Sequence, residues 1–391
     1  MWEGEKPMTR EEKRYAVIFR SLLPVFSVLL RKYSFRTDRV PQMDEPFLML
    51  ANHATESDHF MAACAAQTPM TFVCGEHLLR GKHGKLLKAI ADPIPVPKGA
   101  SAVLAVKEIL RRLRRGENVM LFPEGSRSFH GETLPMTNAI GKLVKMGRSA
   151  LVTYRIQGGY FVAPRWAYHF RKGPMEGHVV NVYSSEQLKG MTAEEITEAI
   201  NRDLYENAYE TQRRHPRRYL GRGLAEGLEN YLVCCPRCGG YDTLESEDNR
   251  FRCRKCGLEG VHDEYGMLLG ENLPFRTVYD WGKWIETRFD ADMAERKAGE
   301  LLFTDSPVRL YEIDAKDHST CDRTVGNLKL YHDRMEIGAF VFPFAEVSEM
   351  SMLYFGKSLL FTCRGEYFGM TGPAFHAWKA DRLYRLYQKG E

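Results

Sequence analysis

The run Asn52-His53-Ala54-Thr55-Glu56-Ser57-Asp58 sets an imidazole and a carboxylate five positions apart. On a regular helix, positions five apart differ by roughly 140° around the axis and do not face each other. His53 is therefore expected in a loop, with Asp58 on the first turn of the next helix, reaching back. A carboxylate bonded to one imidazole nitrogen fixes the tautomer and makes the other nitrogen more basic. Such a pair can activate a hydroxyl without any nucleophile from the protein. A structural loop histidine followed by an acidic helix-start residue satisfies the same spacing.

A second group, Phe122-Pro123-Glu124-Gly125-Ser126-Arg127-Ser128, begins roughly 65 residues later. Glycine at a strand-to-helix turn lets backbone N–H groups approach an anion. Arg127 adds a forked donor suited to phosphate. A plain turn with an exposed arginine is the simpler alternative. A third group, Cys235-x2-Cys238-x14-Cys253-x2-Cys256, has the ligand types and spacing of a tetrahedral zinc ribbon. Cys234 adjoins this set and could replace Cys235. Two CxxC pairs at this spacing argue against a redox dithiol, and a closed four-thiolate site is structural. No GxSxG elbow is present, and neither Cys64 nor Cys74 has a base nearby in sequence, so covalent catalysis is disfavoured.

These groups need elements to hold them. The runs 46–51, 119–122, 150–156 and 179–183 read as strands. Residues 57–66 and 101–115 read as helices, a further helical stretch closes at Leu143, and Thr192-x2-Glu195 is a capping box opening a helix to about Arg213. Alternating strands and helices predict an α/β mixed sheet flanked by helices, with His53 and Glu124 each just past a strand end, where ligands bind in such folds. Beyond Tyr231 the composition changes. The expected organisation is an interfacial membrane helix over 1–36, a catalytic domain over 37–225, the zinc ribbon over 231–270, a helical linker over 271–300 and a β-rich domain over 301–391. The short strands and single terminal helix of the last segment resemble a pleckstrin-homology-like module.

The first two motifs together, in this order, resemble the glycerophospholipid acyltransferase family, over roughly residues 35 to 215. Two further family elements depart from the usual pattern. Lys98 stands after Ile94-Pro-Val-Pro where arginine is commoner, and Leu151–Ile156 lacks the usual proline. Lysine is a point charge rather than a fork, so phosphate would be held differently. The resemblance implies that His53 deprotonates the acceptor hydroxyl and Asp58 orients it. It also implies that Asn52, Lys98, Glu124, Gly125, Ser126 and Arg127 bind the acceptor, chiefly through its phosphate. The implied reaction moves a fatty acyl group from acyl-CoA or acyl carrier protein to a lysophospholipid, above all 1-acylglycerol 3-phosphate. Glycerol 3-phosphate and other lysophospholipids are alternative acceptors, and a non-catalytic lipid-binding regulator is the alternative role.

Charge and hydropathy bear on the partners. Net charge is +4, yet Arg80 to Arg115 holds ten Lys/Arg against Asp92 and Glu108. Such a stretch suits acidic headgroups, donor phosphates or a solvated helix face, and nucleic acid is disfavoured because the ribbon loop mixes charges. The charged N-terminus speaks against a cleavable signal. Ala16 to Leu30 is apolar but interrupted by Arg20 and Pro24. It falls short of the ~20 apolar residues of a span and fits either a membrane interface or the domain's own core. The expected location is the cytoplasmic face of a membrane, peripheral or monotopic, with a protein partner recruited through the ribbon or C-terminal domain. His59 reads as packing, and Arg155 and Arg165 as surface ion pairs.

Overall fold

The computed structural model describes residues 10–99, 101–297, 299–314 and 319–390. They fall into two compact units. One comprises Met1–Val96, Ala102–Pro164 and Arg171–Leu220, and the other Pro97–Ser101, Arg165–Phe170 and Gly221–Glu391.

In the first unit, seven strands form one sheet: β1 (Phe35–Thr37), β2 (Phe47–Ala51), β3 (Met70–Gly75), β4 (Ile94–Val96), β5 (Asn118–Leu121), β6 (Ala150–Gln157) and β7 (Met175–Tyr183). Their order is β1-β7-β6-β2-β5-β3-β4. Every neighbouring pair is parallel except β6 with β7. The helices are α1 (Arg10–Lys32), α2 (Asp58–Ala66), α3 (Gly81–Ala91), α4 (Val103–Arg114), α5 (Asn138–Gly147), α6 (Gly159–Val162), α7 (Ser185–Lys189), α8 (Ala193–Leu204) and α9 (Ala208–Arg214). All five residues of β2 are buried, so a continuous apolar run rather than alternation marks this strand. One face packs Leu48, Leu50, Val119 and Leu151 against Ile109 and Leu113 of α4, Val144 of α5 and Ile196 of α8. On α2 the buried small residues Ala62, Ala63, Ala65 and Ala66 permit close approach to neighbouring strands.

The expected capping box is present, with Thr192 and Glu195 exchanging side-chain to backbone bonds. The helix it opens stops at Leu204, however, and does not run on to Arg213. Tyr205–Asn207 turns aside to pair with the loop after β5. Glu132 bridges Asn207, and Thr133 N–H donates to the Glu206 carbonyl at 2.9 Å. The Asn207 side chain then caps α9 by accepting the Tyr209 and Glu210 N–H groups.

Helix α1 has two faces. Ala16 and Leu30 are buried, and Phe26 packs on Phe60 of α2 with ring centroids 4.7 Å apart. The opposite face leaves Val17, Val25, Val28 and Leu29 exposed beside Arg31 and Lys32. No helix among the described residues is long and apolar enough to cross a membrane. Part of the basic stretch is paired: Arg80 with Glu76, Arg111 with Glu108, and Arg112 with Asp92, Glu108 and Glu117.

The second unit begins with an antiparallel sheet of β8 (Leu244–Glu247), β9 (Arg250–Cys253), β10 (Glu259–His262) and β11 (Leu268–Leu269), followed by α10 (Val278–Ala294). Next come β12 (Phe303–Ile313), β13 (Thr320–Leu330), β14 (Arg334–Ile337), β15 (Phe340–Pro343), β16 (Val347–Leu353), β17 (Ser358–Cys363), β18 (Glu366–Thr371) and α11 (Ala377–Gly390). These strands form an antiparallel sheet in the order β15-β14-β13-β12-β18-β17-β16. The segment is β-rich, as its sequence suggests, and α11 closes it, but β12 and β13 run to 11 residues each rather than being short. Trp281 of α10 is fully buried, donating Nε1–H to the Cys234 carbonyl at 3.0 Å and packing on Phe251 of β9. Lys379 of α11 is also fully buried, its Nζ 2.7 Å from both Asp242 Oδ2 and Asp305 Oδ1.

Candidate active site and metal centre

Parallel pairing delivers the first two motifs to one sheet edge. Leu50 of β2 lies opposite Leu121 of β5. Three residues beyond each member of that pair stand His53 and Glu124, at the carboxyl ends of adjacent strands, where open α/β sheets bind ligands.

His53 sits in the loop before α2, as its spacing predicts, and its Nδ1 lies 2.9 Å from Asp58 Oδ2. Asp58 is fully buried and also accepts Ala54 N–H at 2.7 Å, Thr55 N–H at 2.9 Å and the Thr55 hydroxyl at 2.8 Å. Those donors hold the carboxylate in one orientation. It in turn keeps a proton on Nδ1 and the lone pair on Nε2, the form of the ring that can accept a proton from a hydroxyl. Phe122 stacks on the imidazole, centroids 4.1 Å apart and planes 14° from parallel. This contact was not read from the sequence, although Phe122 opens the second motif. His59 packs edge-on to Phe122, and burial first, then the charge of His53, pushes its pKa down to about 4. It is a neutral packing group.

Two residues expected to bind the acceptor turn inward. The Asn52 side chain is spent on the backbone of Ile156 in β6, donating to its carbonyl at 2.9 Å and accepting its N–H at 2.7 Å. It extends the β2–β6 pairing by an imitation rung. Glu124 ties two loops together, Oε1 accepting His53 N–H and Oε2 accepting Leu134 N–H, each at 2.7 Å. With both oxygens receiving backbone donors, the carboxylate fixes the position of His53 instead of facing a phosphate. Burial pushes the Glu124 carboxyl up to about 8, against the pull of the two N–H bonds.

That shift has a signed consequence. A carboxyl whose folded pKa is raised loses its proton first in the unfolded chain, so its contribution to stability falls as pH rises from the unfolded value to the folded one. Denaturant unfolding at a series of pH values is expected to show a decline between about 4.5 and about 8. Glu124→Gln should flatten that decline while lowering activity through misplacement of His53. An unchanged slope in the variant would remove Glu124 as its source.

Gly125 adopts a left-handed conformation, φ 68°, with open space where a Cβ would lie, so its backbone and not its neighbours calls for glycine. It leads into an irregular loop rather than a helix, because α5 begins only at Asn138. Ser128 bends this loop by accepting the His130 and Gly131 N–H groups. Ser126 belongs to the bend that follows Glu124. Arg127 Nη2 reaches Glu56 at 3.3 Å, and that glutamate is 89 % exposed. The contact is long and wet, and an anion can displace it. Lys98 lies in the second unit, where the Tyr367 hydroxyl donates to its carbonyl at 2.6 Å and burial, then Arg165, pushes its ammonium down to about 8. Arg165 also donates to the Met352 carbonyl at 2.7 Å, which goes beyond the surface ion pair expected of it.

A narrow groove open to solvent is lined by His53, Asn52, Glu124, Ser128, Thr133, Gly158, Tyr160 and Glu206. Glu206 was not singled out in the sequence, because the turn between α8 and α9 that brings it here was read as helix.

Residues 32–157 match the family model for Acyltransferase. The chain contains an acyltransferase-family domain. Strands β1 to β6 of the sheet, and with them both motifs, fall within the matched residues. Among solved structures, the 1-acyl-sn-glycerophosphate acyltransferase PlsC from Thermotoga maritima is 17 % identical, over 53 % of this chain and 84 % of that one, with a TM-score of 0.45. The Dm DCP1 EVH1 domain, solved with the XRN1 DBM peptide, is 15 % identical over 31 % of this chain and 94 % of that one, with a TM-score of 0.18.

In the second unit, the Sγ atoms of Cys235, Cys238, Cys253 and Cys256 all lie within 4.8 Å of one another. Cys235 and Cys256 are 3.7 Å apart, and Cys238 and Cys253 3.8 Å. A tetrahedral ion with ~2.3 Å bonds to sulfur requires sulfur separations of about 3.8 Å, so the set fits zinc-like coordination. Gly239 and Gly257 follow the two knuckles with φ of 65° and 72°, and their N–H groups return to the Cys235 and Cys253 carbonyls. Cys235, not Cys234, is the member of the set.

Proposed function

We propose that the chain transfers a fatty acyl group from a thioester, acyl-CoA or acyl carrier protein, to the hydroxyl of a lysophospholipid, with 1-acylglycerol 3-phosphate as the minimal acceptor. The observation that carries this reading is the His53–Asp58 pair at the carboxyl edge of the sheet, beside the loop that Glu124 anchors. His53 Nε2 takes the hydroxyl proton as the oxygen attacks the thioester carbonyl. The tetrahedral adduct then expels the thiolate, which recovers that proton from the imidazolium, leaving an ester and a free thiol. Arg127 hands its exposed contact with Glu56 over to the acceptor's phosphate, aided by the backbone donor at Ser126. The four cysteines hold a structural zinc, and the ribbon and β-rich sheet recruit a protein partner. The test is release of free thiol from acyl-CoA, and separately from acylated carrier protein, with each acceptor and with none. Release that depends on acceptor supports acyl transfer. Its absence with both donors would favour a lipid-binding regulator.

The site of action is the cytoplasmic face of a membrane, which the chain meets through α1. The exposed Val17, Val25, Val28 and Leu29, flanked by basic residues, suit the interface of an anionic bilayer. Substituting both Val25 and Val28 by glutamate is expected to weaken cosedimentation with anionic vesicles about tenfold or more, since each valine fully buried in lipid is worth ~1.5–3 kcal/mol. Undiminished sedimentation would place the contact elsewhere.

A further inference from the structure

The fold treats the lysines of the basic stretch differently from its paired arginines. Glu76 and Asp92, just outside the two ends of α3, are committed to Arg80 and Arg112. Helix α3 itself carries no acid, and its Lys82, Lys85 and Lys88 are exposed and form no ion pair among the described residues. Leu86 and Ile90, four apart, share one stripe of the helix, and the three lysines, three apart, run beside it. The core of the domain does not claim this face, since Leu86 is 61 % exposed and Ile90 37 %. Helix α3 lies against α1. There the Arg14 guanidinium donates to the Ala89 carbonyl and the Tyr15 hydroxyl to the Lys88 carbonyl, each at 3.4 Å, in the last turn, where a helix has carbonyls to spare. Exposed apolar side chains thus stand on two neighbouring helices, Val17, Val25 and Val28 on one and Leu86 and Ile90 on the other.

We propose that α3 is a second membrane-docking element, whose Lys82, Lys85 and Lys88 bind the headgroups of an anionic bilayer while Leu86 and Ile90 enter its interface. This rests on the membrane contact proposed for α1 and gives that contact its lipid selectivity. Charge complementarity names the occupant. An acid-free helix with three uncommitted ammonium groups gains nothing from a neutral surface beyond what its apolar stripe supplies, and gains strongly from a negative one. Lysine fits the task because its long stem lies along apolar surface while the ammonium stays at headgroup level. Three separate point charges, with no arginine fork among them, also suit a fluid array of headgroups better than one fixed carboxylate on a protein.

The full chain is sedimented with vesicles of phosphatidylcholine alone or mixed with phosphatidylglycerol, at low and high salt. It is expected to bind the mixed vesicles about a hundredfold tighter, roughly fivefold for each lysine near an anionic surface, with the gain lost at high salt. Lys82→Gln, Lys85→Gln and Lys88→Gln together remove the gain and leave binding to neutral vesicles as it was. Glutamine has nearly the helix propensity of lysine, so folding persists, as circular dichroism checks. An equal loss of charge at the exposed Lys142, Lys189 and Arg213 of α5, α7 and α9 keeps the gain. Leu86→Glu weakens binding to both compositions. Equal binding of the unaltered chain to both, or a gain that survives in the α3 triple variant, overturns the proposal. So does a gain lost equally in the control triple variant, which would reduce it to net charge. A surviving gain with loss of thiol release from acylated carrier protein alone would assign the face to a protein. The α1 reading fails separately: a gain that needs the α3 lysines, with binding unmoved by Val25→Glu and Val28→Glu, removes the α1 contact and keeps that of α3. Binding to neutral vesicles that needs both valines, with no gain on mixed ones, does the reverse.

Discussion

Replacement of His53 by alanine is expected to lower acceptor-dependent thiol release by about 10²–10⁴-fold, the range of a general base. The base acts only as the hydroxyl oxygen attacks, so kcat and kcat/KM should fall together while acceptor affinity holds. Folding should survive, because the imidazole is partly exposed and its loss deprives Asp58 of only one of four donors. Circular dichroism and the melting temperature check that point. Asp58→Ala makes a poorer test of mechanism, since it leaves the Ala54 and Thr55 N–H groups and the Thr55 hydroxyl without their acceptor and disturbs the loop as well as the ring. Full turnover in His53→Ala would exclude the proposed chemistry outright.

Removal of the metal from the four-cysteine centre is expected to have an effect as large, on folding rather than on turnover. Structural zinc in small ribbons supplies roughly 10–16 kcal/mol of apparent binding free energy, which is folding free energy when the site does not preexist. The fully buried Trp281 donates to the carbonyl of Cys234, the residue before the first ligand, and packs on Phe251, two residues before Cys253. A strong chelator, or Cys253→Ser, should therefore shift tryptophan emission to the red, a change diminished in Trp281→Phe. Metal analysis of the untreated protein should give one zinc per chain. Emission unmoved by chelation together with absence of metal would show that the ribbon folds without an ion.

What the sequence made legible follows from the range of each interaction. His53 and Asp58 were readable because five residues of chain set their geometry, and the cysteines because ligand chemistry dictates spacing. Strands β2 and β5 were visible because burial on both faces leaves an unbroken apolar run. The inward turn of Asn52 and Glu124 was not legible, since it depends on partners distant in sequence, Ile156 of β6 and Leu134 of the loop after β5. Glu206 was hidden for a related reason. The helical pattern from Thr192 carried the reading past Leu204, where pairing of Glu132 and Thr133 with the chain overrides local propensity. Ion pairing of Arg80, Arg111 and Arg112, with partners set by the fold, similarly takes up part of the charge of the basic stretch.

Lys379 carries a consequence for the inheritance of this chain. Its ammonium, enclosed in α11, answers Asp242 from between the two cysteine knuckles and Asp305 from β12. Separating a buried charge from its partners costs about 3–5 kcal/mol. A gene break near residue 300 would leave Lys379 with Asp305 but part it from Asp242, and part Asp242 from Lys379 and His376 together. The ribbon and the β-rich sheet are thus expected to be gained, lost and transplanted together as one cassette.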